Sequence, residues 1–163
     1  MINEVDYAQN GTDAEEFIEI YNPTAGPVNL DSYAIELVDG AGGGATVYQT
    51  IELGNVTLAA GDFYVVCADA AMVPFCDLDV SPDTDLIQDG APDAVALTFL
   101  GNVIDTVSYD GSTGAPYTEG SGAGLIDDPA NDFSASRAPA TASTPIKTTS
   151  TSPGAATPRV SPT

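Results

Sequence analysis

Glycine-bearing turn pairs punctuate this chain at short intervals, and that spacing leaves little room for anything but β-structure. Asn10-Gly11, Asp39-Gly40, Gly54-Asn55, Gly61-Asp62, Asp89-Gly90, Gly101-Asn102 and Asp110-Gly111 each supply the positive φ that tight turns demand. Between them lie runs rich in Val, Ile, Phe and Tyr, which predict strands over 2–7, 16–21, 33–38, 45–53, 62–67, 94–100 and 102–109. The Gly101-Asn102 pair separates two such runs and predicts a tight hairpin. Alternation is clearest in 102–109, where Val103, Asp105, Val107 and Tyr109 share one face. No window repeats a helical stripe. Strands at this spacing point to an all-β chain folded as a sandwich.

Charge divides the chain in two. All 24 acidic residues lie between Glu4 and Asp132, whereas Arg137, Lys147 and Arg159 are the only cations and histidine is absent. A net charge of −21 disfavours a nucleic-acid backbone or an anionic lipid surface, since both are gripped through Lys and Arg. No apolar run approaches the length of a membrane span. Residues 137–163 hold 11 Ser or Thr and five Pro, with Ile146 and Val160 as the only sizeable aliphatic side chains. Such a segment buries too little surface to offset its ordering entropy, so disorder is its default, and its Ser/Thr/Pro content reads as an extended, O-glycosylated tail behind a domain of residues 1–136.

Chemistry has few starting points. Without histidine no nucleophile–base pair of the usual kind can be built. Cys67 and Cys76 have no cationic neighbour in sequence to generate a thiolate. Bonded to each other, they close a loop of roughly ten residues worth about 2–3 kcal/mol on the chain-entropy estimate. Two buried free thiols are the alternative. The composition and the tail favour the disulfide and an extracellular or cell-surface setting.

Asp77, Asp79, Asp83, Asp85 and Asp89 crowd one loop and form a candidate calcium site, Ca2+ being the one cofactor this composition suggests. Their spacing is not that of an EF-hand, and a solvated acidic rim is the competing reading. Asp13, Glu15 and Glu16 form one further acidic cluster, and Asp127, Asp128 and Asp132 with Asn131 another. Glu4 and Glu19 fall inside strands, where structural carboxylates accepting backbone hydrogen bonds are expected. Asn10-Gly-Thr12 and Asn55-Val-Thr57 fit the glycan acceptor pattern.

Several stretches together resemble the lamin tail domain family. These are Ile2-Asn3-Glu4-Val5, Glu16-Phe-Ile-Glu-Ile-Tyr-Asn-Pro23, Val28-Asn-Leu-Asp-Ser-Tyr33 and Gly61-Asp-Phe-Tyr-Val-Val66. Ser136-Arg137-x-Pro139 and Ser152-Pro-Gly-Ala-Ala156 are similar to its closing motifs. Tyr33 stands where the family usually carries Trp. The resemblance implies an immunoglobulin-like β-sandwich without enzymatic activity, of the type that accompanies secreted and surface proteins.

Two functions follow as expectations. One is a non-catalytic extracellular structural subunit that self-assembles into a homo-oligomer, filament or coat. Its tail (Arg137, Ile146, Lys147, Arg159, Val160) and its sheet edges would join the copies. The other is a calcium-stabilised binding or targeting module of a secreted protein, with a glycan among its candidate ligands.

Overall fold

The computed structural model describes residues 1–90, 92–120, 124 and 134–136, together with the backbone of 147–148. The strands are β1 (Ile2–Asp6), β2 (Phe17–Tyr21), β3 (Val28–Asn29), β4 (Tyr33–Asp39), β5 (Thr46–Glu52) and β6 (Thr57–Leu58). They continue as β7 (Phe63–Cys67), β8 (Leu78–Asp79), β9 (Asp93–Phe99), β10 (Asn102–Tyr109), β11 (Ala135–Ser136) and β12 (Lys147–Thr148). Every strand longer than two residues falls where the turn pairs predict one. The two-residue strands were not foreseen, because they carry no periodicity of their own. The sequence also allows a strand near 122–126, where only Gly124 is among the described residues.

A six-stranded sheet (β12-β11-β1-β2-β7-β8) faces a four-stranded one (β10-β9-β4-β5), with β3 and β6 as a small separate pair. The architecture is an immunoglobulin-like β-sandwich. Ile18, Ile20, Tyr64 and Val66 from the first sheet meet Ile35, Leu37, Val95, Leu97 and Val107 from the second in one continuous core. Each such side chain contributes about 1.5–3 kcal/mol by leaving water.

β7 is buried on both faces, so it reads as a continuous apolar run and not as an alternating one. Its alternate residues, Val65 and Cys67, point outward to a second cluster with Phe17 and Val73. The loop after β7 covers that cluster. The Cys67–Cys76 disulfide holds the loop in place, with Cα atoms 5.7 Å apart, and Phe75 packs edge-on against Phe17 at 5.4 Å.

Two details depart from the expected pattern. The β9–β10 hairpin turns on Leu100 and Gly101, at φ 50° and 74°, one residue earlier than the Gly101-Asn102 pair suggests. The alternation of β10 is also interrupted. A bulge between Val103 and Asp105 pushes Ile104 outward, to 52 % exposure, and leaves Val103 and Asp105 half-buried. Only beyond the bulge do Val107 and Tyr109 settle into the core.

Candidate functional site

The strand directions bring like residues to like ends. β1, β4 and β10 finish, and β2 and β9 begin, at one pole. Asp6, Asp39, Asp93 and Asp110 therefore converge there with the loops carrying Asp13, Glu15, Glu16, Asp85 and Asp89. No cation side chain is described at this pole; all three follow Ser136 in the sequence.

Glu16 is the centre of this acidic pole. Its side chain is fully buried, with Oε2 accepting from the Leu86 backbone N–H at 2.7 Å and Oε1 from that of Ile87 at 2.9 Å. These bonds fasten the 81–90 loop to the start of β2. Burial pushes the Glu16 carboxyl up to about 8, against the opposing pull of the two backbone bonds, and the Asp13 and Asp85 charges push the same way. Partial desolvation raises the carboxyl of Asp89, an otherwise exposed residue, helped by Asp13, Asp85 and Asp110, and burial raises Asp93, helped by Asp39 and Asp110.

A tyrosine layer lies beneath the pole. Tyr7 stacks on Tyr109 with ring centroids 4.2 Å apart, Tyr109 Oη donates to the Gln88 carbonyl at 2.8 Å, and Tyr48 Oη accepts from the Gln88 N–H at 3.0 Å. Burial pushes the Tyr48 phenol up to about 12.

The proposed calcium ligands separate into two groups. Asp77 Oδ2 accepts from the Val65 N–H at 2.8 Å, and Asp79 Oδ2 from the Ala70 N–H at 3.3 Å, so both carboxylates bind backbone beside β7. Asp83, Asp85 and Asp89 are exposed. Asp85 sits at φ 55° and donates its N–H to the Asp13 carbonyl at 3.0 Å. Among the described residues no three such side chains form a group that could hold a metal ion. The cluster at 127–132 lies outside the described residues. Glu4 accepts from the Ser134 hydroxyl and Glu19 from the Asn3 amide at 2.8 Å, both side-chain donors. Asn10 and Asn55 are both exposed.

The opposite pole carries an apolar groove. Met1, Tyr21, Pro23, Val28, Tyr33 and Ile104 help to line an open groove of about 170 Å³ with no carboxylate in its wall. That volume is well below the several hundred Å³ of a small-molecule pocket and suits one or two side chains. Leu100, at 68 % exposure, and Phe99, at 39 %, stand beside it on the hairpin. Tyr33 packs on Phe99 at 4.8 Å, a tilted contact that fits the smaller ring found in place of Trp.

At the sheet edge, Val5 and Glu4 of β1 pair with Ala135 and Ser136, which pair in turn with Thr148 and Lys147. Of the tail residues singled out by sequence, Lys147 is thus placed by its backbone. Arg137, Ile146, Arg159 and Val160 lie outside the described residues. Sequence reasoning placed Glu16 in an acidic cluster and missed its burial. The signal was present in its position, directly before Phe17 at the entrance of an apolar strand. The groove had no sequence signal, because its walls come from six separate segments.

Among the described residues no helix is long and apolar enough to cross a membrane. The family model described as Lamin Tail Domain matches residues 1–111, ending before the two closing motifs. A comparison with curated proteins finds no match.

Proposed function

Because the chain belongs to the lamin tail domain family, whose members are non-enzymatic domains of structure and protein interaction, we propose that it is an extracellular structural subunit. Copies join through sheet edges and the Ser/Thr/Pro-rich C-terminal segment. One observation carries this reading: the edge beside β1 is extended by β11 and then by β12, two-residue strands drawn from the C-terminal part of the chain. Ladders this short are separable, and the same backbone groups accept an equivalent strand from a neighbour.

The disulfide supports an oxidising compartment. The calcium-stabilised alternative has less support, since Asp77 and Asp79 already hold backbone N–H groups.

The test is electron microscopy and sedimentation of the full chain beside a version ending at Ser136. Assemblies that vanish on truncation are expected. Equal assemblies from both versions would remove the tail from the account, and monomers from both would remove assembly altogether.

A further inference from the structure

The apolar groove lies at one pole, and β12 exits toward the other. β1 runs from the groove pole at Ile2 to the acidic pole at Asp6. β11 is antiparallel to β1 and β12 antiparallel to β11, so the chain leaves Thr148 heading for the acidic pole. The chain therefore leaves Thr148 pointing away from its own groove and, in an arrangement of copies stacked pole to pole, toward the groove of the next one.

We propose that this groove is the docking site for residues 149–163 of a second copy, with Val160 as the anchor between Pro158 and Pro162. The inference deepens the structural-subunit reading and rests on it. Prolines at 153, 158 and 162 favour an extended chain of about 3.1 Å per residue. Val160 is then roughly 37 Å beyond Thr148, more than the length of a seven-residue strand at about 3.3 Å per residue.

The groove is aromatic-rimmed and small, as a proline-flanked side chain requires. Its wall lacks carboxylates, but Asp31 and Asp62 are exposed next to wall residues Leu30 and Asn22, whose N–H bonds the Asp62 carbonyl at 3.0 Å. Arg159 adjoins the anchor and meets that rim. A contact of this heterologous kind propagates into an open filament unless its rotation closes a ring.

The shape of the hairpin supports an external partner. Leu100 occupies a left-handed position that Asn or Gly fills at lower cost, yet it is the most exposed large hydrophobe described. The bulge beside it turns Ile104 outward onto the same surface.

A complementation experiment on full-length chains tests this. Ile104→Asp blocks the groove and keeps the tail; Val160→Asp spoils the anchor and keeps the groove. Leu100→Asn, on the hairpin beside the groove, serves as a second surface variant with no expected folding cost. Sedimentation of each alone should show association weakened about tenfold or more, the loss of one buried aliphatic anchor. Mixing Ile104→Asp with Val160→Asp should restore a one-to-one pair and nothing larger.

If both variants associate like the unmodified chain, the groove is not the contact, and assembly through the sheet edge stands without it. If both are weak but the mixture forms no pair, docking between copies is wrong. An unmodified chain that stays monomeric overturns the structural-subunit reading and this inference with it.

Discussion

Replacing Glu16 with Gln should remove a pH dependence of stability that the buried carboxyl creates. The folded-state value of about 8 lies above the ordinary 4.5. Between those limits the native state holds a proton that the unfolded chain has released. Stability from this group is therefore complete below pH 4.5 and is lost as pH rises toward 8. At about 1.36 kcal/mol per pH unit the ceiling is about 4–5 kcal/mol. Local relaxation and water entry bring the expected loss to about 2–3 kcal/mol.

The variant pays a different cost. Its amide nitrogen meets the Leu86 or Ile87 N–H, so one of two bonds is lost, worth about 1–2 kcal/mol at pH 5. Urea unfolding followed by circular dichroism, at pH 5, 6, 7, 8 and 8.5 in constant 0.15 M salt, should show the two stability curves converging or crossing. Asp89 and Asp93, raised in the same direction, titrate in both proteins and cancel in the difference. Parallel curves would refute the reasoning, since they would mean that Glu16 keeps one charge state throughout.

Three further outcomes are expected. Leu100→Asn should stabilise the isolated subunit by up to about 1 kcal/mol, because Asn-Gly suits a turn with two positive φ values, and a melting curve will read the gain. Replacing Cys67 and Cys76 together with Ala should cost about 2–3 kcal/mol and speed proteolysis of the loop between them, as mapped by mass spectrometry of the cleavage products. Calcium against a chelator at low salt should raise the melting point only slightly, and magnesium should act equally, since Asp83, Asp85 and Asp89 are exposed to any cation. A large shift confined to calcium would instead show that the loop closes around the ion.

The longer strands were legible because each is bounded by a turn pair whose backbone requirement is local. β7 was legible for a different reason: an apolar run of five residues is too short for a helix and too continuous for a half-exposed strand. The short edge strands were not, since Ala135-Ser136 is a strand only because β1 offers an edge beside it, and Lys147-Thr148 only because β11 then does. The bulge at Ile104 depends on Asp105 turning to accept the Ile2 N–H at 2.6 Å, a contact across 103 residues that no local pattern encodes. The acidic loop was legible as composition only. Whether its carboxylates converge is decided by the backbone N–H groups that Asp77, Asp79 and Glu16 reach first.

The most direct test of the structural-subunit account is sedimentation velocity on the full-length chain across a wide concentration series. The account predicts a weight-average mass that climbs with concentration well beyond the 16.6 kDa of one chain, without a fixed end point. A single 16.6 kDa species at every concentration would contradict it.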